Sequence, residues 1–126
     1  MAGVPERKVY LVDDDDSMRK ALHRLLRLNG YAIESFSSAR SFLDSVPSHE
    51  AEGFLLLDLR MPEMDGFELQ EKLKELHCPL KIIMITADAR TGDREQAPRN
   101  GALGFVQKPF DNRTLLELIE AEIVRK

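Results

Sequence analysis

The stretch FLLLDLRMPEMDG, residues 54–66, contains the features that decide how this chain folds. Its first four residues, Phe54–Leu57, are all apolar, as expected of a parallel strand that is covered on both faces. Asp58 ends this run, so a carboxylate follows directly after a buried strand. Apolar residues then recur with helical spacing until Pro79; they are Phe67, Leu69, Leu73 and Leu76. The segment therefore predicts a strand, an acidic strand end and a helix.

The same alternation of a short apolar run and an amphipathic stretch occurs five times along the chain. The predicted strands are Val9–Val12, Tyr31–Ile33, Phe54–Leu57, Ile82–Ile85 and Leu103–Val106. The second run is the weakest and is typical of an edge strand. Strands that alternate with helices predict one α/β domain with a parallel sheet, and right-handed crossovers place helices on both of its faces.

The first predicted helix has one apolar and one basic face. Its apolar positions are Met18, Ala21, Leu22, Leu25 and Leu26, and its basic positions are Arg19, Lys20, His23, Arg24 and Arg27. Asp15, Asp16 and Ser17 are candidates for its N-cap. We interpret the basic face as a solvated surface rather than as a nucleic-acid site, because charged helix faces are usually exposed.

The segment Arg90–Asn100, RTGDREQAPRN, departs from the pattern because Ala97 is its only apolar residue besides Pro98. Glycine and proline both disfavour a helix interior, and this segment contains Gly92 as well. We expect either a short helix that ends before Pro98 or a loop, and in both cases a mobile segment.

Composition excludes several classes of protein. The 126 residues are 43% hydrophobic and 32% charged, which is normal for a globular domain. No apolar run approaches the ~18 residues of a membrane span, and no secretory signal precedes Lys8. The single cysteine, Cys78, forms no internal disulfide. The net charge of −4 argues against DNA binding by this domain. We expect a cytoplasmic protein without membrane contact.

Reactive side chains follow four of the predicted strands. Asp13 and Asp14 follow the first, Asp58 the third, Thr86 the fourth and Lys108 the fifth. Ligands of a doubly wound parallel sheet bind beyond the carboxyl ends of its strands, so we expect these groups in one crevice. Clustered carboxylates repel each other, and a hard cation such as Mg²⁺ removes that repulsion. One carboxylate can then attack a phosphoryl group, and a lysine and a hydroxyl can bind its oxygens.

Several motifs in this order resemble the receiver domain of two-component response regulators, over residues 7–125, with residues 1–6 as a tail. The motifs are Val12-Asp13-Asp14, Asp58-Leu59-Arg60-Met61-Pro62 with Asp65-Gly66, Thr86-Ala87 and Lys108-Pro109-Phe110. The resemblance implies a single flavodoxin-like (βα)5 domain with a doubly wound five-stranded parallel sheet in the order 2-1-3-4-5. It also implies a cis peptide bond between Lys108 and Pro109.

The resemblance further implies a role for each site residue. Asp58 would accept a phosphoryl group from a sensor histidine kinase, and Thr86 and Lys108 would contact that group. Mg²⁺ would be held by Asp13, Asp14, Asp58 and the backbone carbonyl of Arg60. Thr86 and Phe105 would form the switch. Such a domain is not a conventional enzyme, although it promotes its own phosphorylation and slow dephosphorylation.

The resemblance is strongest to regulators with a helix-turn-helix output of the LuxR type. The Asp58–Pro62 block and the run Ser38–Leu43 carry this part of it. An output domain or a partner protein would then read the switch, and a phosphorylation-dependent homodimer is one form of output that this interpretation allows.

Two other functions are alternatives. A haloacid-dehalogenase-type phosphohydrolase would use Asp13 as its nucleophile, but no acidic pair follows Lys108 and no cap insertion is present. A flavodoxin-like phosphate binder needs hydroxyls and amides after its first strand, where four aspartates would repel a phosphate. The aspartate that becomes labelled by an acyl phosphate distinguishes the first alternative from a receiver.

Overall fold

A computed structural model describes residues 8–47 and 51–124, so the expected tail of residues 1–6 lies outside the described residues. The elements alternate as β1 (Lys8–Val12), α1 (Asp16–Leu28), β2 (Ala32–Phe36), α2 (Ala39–Ser45), β3 (Phe54–Asp58), α3 (Gly66–Glu75), β4 (Lys81–Thr86), α4 (Asp93–Arg99), β5 (Gly104–Gln107) and α5 (Asn112–Val124). Within these ranges, no helix has the length and apolarity that crossing a membrane requires.

The five strands form one parallel sheet in the order β2-β1-β3-β4-β5, as predicted. β2 lies at an edge, also as predicted, but it runs three residues beyond Ile33. The prediction ended at Ile33 because Glu34 and Ser35 are polar, but one side of an edge strand can remain exposed, so polar residues can continue it. In the register of the sheet, Asp58 is paired with Ile85 and Thr86 with Gln107. The carboxyl ends of β3, β4 and β5 therefore meet at one edge.

β3 lies at the centre of the core, and all five of its residues are buried. Leu55 and Leu57 pack in a cluster with residues of α2, α3 and α4. Phe54 and Leu56 pack in a second cluster with residues of α1 and α5. This alternation explains the uniformly apolar run, because helices cover both faces of the strand.

The start of α3 is positioned closely against the end of β3. Asp65 caps the helix by accepting a bond from the Glu68 amide at 2.9 Å, and Glu68 accepts one from the Asp65 amide. A Cβ atom on Gly66 would lie 2.8 Å from the Asp58 carbonyl oxygen. Only a residue without a side chain fits there, so Gly66 lets α3 approach the strand end.

α4 differs from the expectation, because it runs through Pro98 to Arg99 instead of ending before the proline. Gly92 is not in the helix interior: it is the N-cap, at φ 90°, where glycine is favourable. The residues after the proline are also held, since Ala102 donates to the Ala97 carbonyl at 2.9 Å. The expected lack of an apolar face is confirmed, as Ala97 and Asp93 are its only buried residues.

Candidate functional site

Three carboxylates meet at the ends of β1 and β3, as the sequence predicted. Carboxylate oxygens of Asp13, Asp14 and Asp58 all lie within 4.8 Å of one another. Asp13 is fully buried, Asp58 is 5% exposed and Asp14 is exposed to solvent. Solvent therefore reaches the site from the side of Asp14, whereas the protein encloses the side chains of Asp13 and Asp58.

Lys108 extends from the end of β5 into this cluster. Its Nζ lies 2.9 Å from Oδ2 of Asp13, and its side chain is only 9% exposed. The Lys108–Pro109 peptide bond is cis, which confirms the expectation from the family resemblance. The Lys108 amide donates to the Thr86 carbonyl at 2.7 Å, so the backbone before the cis bond is tied to β4.

The carboxylate cluster is electrostatically unfavourable even with Lys108 beside it. Burial and the neighbouring Asp13 carboxylate raise the pKa of Asp58 to about 8, although Lys108 partly opposes this effect. A divalent cation would offset the mutual repulsion of the carboxylates. The donors are all oxygens, and oxygen ligands suit Mg²⁺ better than they suit softer metals. The donor set therefore fits a magnesium ion.

Thr86 and Phe105 lie on neighbouring strands, but they have different surroundings. Thr86 is fully buried, and its Oγ1 accepts a bond from the Asp88 amide at 3.0 Å. This leaves its hydroxyl hydrogen available as a donor. Phe105 is half-buried against α4, and the Arg94 guanidinium carbon lies 4.9 Å from its ring centroid. Arg94 thus covers Phe105, and this contact was not predicted from the sequence.

The side chain of Arg60 connects the loop after β3 to α4. Its Nη2 forms an ion pair with Oδ2 of Asp93, and its Nε donates to the Asp88 carbonyl at 3.3 Å. The Arg90 amide also donates to Asp93 Oδ2, at 2.7 Å. Sequence reasoning missed Asp93. Its spacing from Arg90 suits a local turn, but no local pattern indicates the distant arginine.

A protein-family comparison identifies most of the chain. The model of the response regulator receiver domain matches residues 9–120, which include every predicted site residue.

Two relatives show how much of a longer protein this chain represents. Response regulator protein TodT of Pseudomonas putida is 41% identical over 115 residues, which are 91% of this chain and 50% of TodT. Transcriptional regulatory protein FixJ of Rhizobium meliloti is 38% identical over 112 residues, covering 89% of this chain and 54% of FixJ. The chain therefore spans about half the length of these two relatives.

Solved structures show the same architecture. The crystal structure of FixJ-N has a TM-score of 0.81 at 37% identity and covers 90% of both chains. The structure of response regulator StyR has a TM-score of 0.84 at 41% identity, covering 90% of this chain and 57% of StyR. These proteins are similar in sequence as well as in fold.

Proposed function

Since the chain belongs to the response regulator receiver domain family, we propose that Asp58 is its phosphoacceptor. Members of this family are two-component phosphoacceptor switches, and so is this chain. The observation that carries the assignment to Asp58 is its place at the end of β3, beside Asp13 and Asp14. The domain is assigned to residues 7–125. The comparisons do not support the phosphohydrolase alternative.

Mg²⁺ is the metal that this donor set would hold. Asp13, Asp14, Asp58 and the backbone carbonyl of Arg60 are the ligands that we assign, with water completing the coordination. When bound, Mg²⁺ would neutralise negative charge on the carboxylates and on the transferred phosphoryl group. The raised pKa of Asp58 supports this assignment. Burial beside Asp13 destabilises the ionised Asp58 carboxylate, and a bound cation would stabilise it.

The phosphoryl donor is a phosphohistidine of a sensor histidine kinase. A carboxylate oxygen of Asp58 attacks phosphorus, and the phosphorus–nitrogen bond of the donor breaks, so its electron pair stays on the imidazole. The product is an acyl phosphate. Lys108 uses one hydrogen on Asp13 and has two more to donate to phosphoryl oxygens. Thr86 donates its hydroxyl hydrogen, which its bond from Asp88 leaves available.

The domain is in this way not a conventional enzyme, because it modifies its own side chain. It promotes transfer to Asp58, and later a water molecule hydrolyses the acyl phosphate slowly. The groups that position the phosphoryl group are the same in both steps.

Phosphorylation changes the face formed by residues 90–100, Phe105 and α5. Thr86 moves towards the phosphoryl group, and Phe105 turns into the space that it leaves. The contact between Arg94 and the half-buried ring supports this, because the surface residue that covers Phe105 can move away when the ring turns inward. This face then contacts an output domain, a partner protein or a second copy. The similarity to FixJ, a transcriptional regulatory protein, suggests a transcriptional output.

Labelling with acetyl phosphate and Mg²⁺ tests the phosphoacceptor. Wild type should form an acid-stable, hydroxylamine-sensitive product, and Asp58→Asn should form none. Asp44→Asn is the matched control, because Asp44 lies exposed on α2 and should be labelled as wild type. Full labelling of Asp58→Asn would refute the assignment, and loss of label in Asp13→Asn alone would favour the phosphohydrolase.

Amide exchange tests the proposed output face. Exchange in residues 90–100 should be fast in the unmodified protein and slower when a beryllium fluoride mimic is bound. Unchanged exchange would contradict the choice of this face, even if Asp58 is labelled.

A further inference from the structure

A groove between α1 and β2 lies apart from the carboxylate cluster, and its lining is strongly basic. We call it the α1–β2 groove, and its volume is about 540 Å³. It is lined by Arg19, Lys20, His23, Arg24, Arg27, Leu28 and Ser35. None of these residues carries a carboxylate, although the whole chain has a net charge of −4. The groove therefore concentrates positive charge on an acidic protein.

The spacing of these cations is unfavourable for α1 itself. Lys20 and Arg24 are four residues apart, and Arg24 and Arg27 are three apart, so like charges are neighbours on one helix face. A solvated helix face often alternates basic and acidic residues, but Asp16 is the only acidic residue of α1. Asp16 pairs with Arg19. Within residues 8–47 and 51–124, no acidic group pairs with Lys20, Arg24 or Arg27.

The floor of the groove has a fixed polar group. His23 Nδ1 lies 2.7 Å from the Ser35 hydroxyl oxygen, which joins α1 to the edge strand β2. The bond orients the imidazole and leaves Nε2 available to a ligand. At the other end, Leu28 is 74% exposed and provides an apolar wall. The groove thus combines three cations that pair with no carboxylate of the described residues, an oriented imidazole and an apolar surface.

We propose that the α1–β2 groove binds a small organic polyphosphate of the size of a nucleoside triphosphate. One guanidinium group can donate two parallel hydrogen bonds to a phosphate group, so the arginines of the groove suit a phosphate ligand. A volume of about 540 Å³ lies within the range of small-molecule sites. The negative charge of the rest of the chain disfavours a nucleic-acid strand, which extends beyond such a groove. A small ligand, in contrast, contacts only the groove, through its phosphates and its organic body.

Titration calorimetry with ATP on the 126-residue chain tests the proposal. The buffer contains 150 mM salt and no divalent cation, so that the carboxylate cluster does not recruit the nucleotide. ATP should bind saturably with a dissociation constant below about 1 mM. Inorganic pyrophosphate should bind more weakly, because it lacks the organic body. Absence of saturable ATP binding would overturn the proposal.

Three charge-removing variants locate the site. Lys20→Gln, Arg24→Gln and Arg27→Gln should each weaken ATP binding at least tenfold, while the matched control Arg40→Gln on α2 should bind as wild type. The three variants should unfold at the same temperature as wild type or higher, since each relieves repulsion along α1. Equal ATP binding by all four variants would place the nucleotide elsewhere and refute the groove.

Competition identifies the class of ligand, and Asp58→Asn separates this proposal from the phosphoacceptor. A glutamate-rich peptide and a single-stranded oligonucleotide should displace ATP only at much higher concentration. Stronger displacement by either would replace the small polyphosphate with an acidic protein segment or a nucleic acid. Asp58→Asn should bind ATP as wild type, and tighter binding there would show that ATP lies beside the carboxylate cluster instead, since the substitution reduces the negative charge of that cluster.

Discussion

The guanidinium group of Arg60 forms an ion pair with the carboxylate of Asp93, and this contact joins the loop after β3 to the first turn of α4. Asp93 is buried, and its carboxylate also accepts the Arg90 amide. α4 buries a single apolar side chain, Ala97, so polar contacts such as this one contribute to its attachment to the domain. The residue that starts α4 is thereby connected to a residue two positions from the proposed phosphoacceptor.

We expect Asp93→Ala to destabilise the domain by about 1–3 kcal/mol, because it leaves Arg60 without its buried partner. Urea unfolding measures the change, and amide exchange in residues 93–99 should become faster. Asp88→Ala is the control, since Asp88 pairs with Arg90 on the exposed surface. Equal unfolding midpoints for the two variants would mean that the buried contact stabilises the domain no more than the exposed pair does.

The raised pKa of Asp58 predicts an unusual dependence of stability on pH in the absence of metal. The folded protein holds a proton on Asp58 up to about pH 8, whereas the unfolded chain releases it near its ordinary pKa of 3.8. The contribution of Asp58 to stability is therefore present below about pH 4 and is lost as the pH rises to about 8. Asp58→Asn should consequently gain stability over wild type, by a few kcal/mol, between pH 5 and 8 in EDTA. A stability difference that does not vary with pH would contradict the shift.

Asp14 is the exposed member of the carboxylate cluster, so its removal tests the metal site with little effect on the fold. Asp14→Ala should weaken Mg²⁺ binding at least tenfold, because Mg²⁺ has few protein ligands to lose. Calorimetric titration with Mg²⁺ measures the affinity, and Asp44→Ala on α2 is the control. Unchanged affinity in Asp14→Ala would remove this aspartate from the ligand set.

Gly66→Ala should destabilise the domain by about 1–3 kcal/mol and slow the phosphorylation of Asp58. The new Cβ would lie 2.8 Å from both the Asp58 carbonyl oxygen and the Leu59 Cα, so backbone must shift at the end of β3. Gly104→Ala is the matched control, because its Cβ meets a leucine methyl group at 3.3 Å, which can move. Thermal unfolding and acetyl phosphate labelling give the two measurements. Similar results for both variants would show that the approach of α3 is not tightly constrained.

Gln70 on α3 is 2% exposed, and its Oε1 has no hydrogen-bond partner within the described part of the chain. Its Nε2 makes a long bond of 3.3 Å to the Ala97 carbonyl, which already accepts from the Ala102 amide. Gln70→Met should therefore stabilise the domain by about 1 kcal/mol, since it removes a buried acceptor and keeps the side chain's length. Urea unfolding tests this beside Gln96→Met, an exposed control. A loss of stability in Gln70→Met alone would show that the bond to Ala97 matters more than the unpaired oxygen.

The sequence alone predicted the strands whose pattern is local. β3 and β4 are buried on both faces, so they appear as continuous apolar runs. Asp58 and Thr86 follow those runs directly, and the parallel order of the sheet brings strand ends together. β2 was predicted too short, because its exposed residues do not need to be apolar.

Contacts between distant side chains were decided only by the tertiary structure. Lys108 and Asp13 are 95 positions apart, and Arg60 and Asp93 are 33 apart, so no local spacing records either contact. The family resemblance placed Lys108 and Asp13 in one site, but nothing in the sequence indicated the contact between Arg60 and Asp93. α4 continues through Pro98 although helix propensity disfavours it, because propensity describes an isolated helix. This helix is held at its start by the contact of Arg60 with Asp93 and beyond its end by the bond from Ala102 to Ala97.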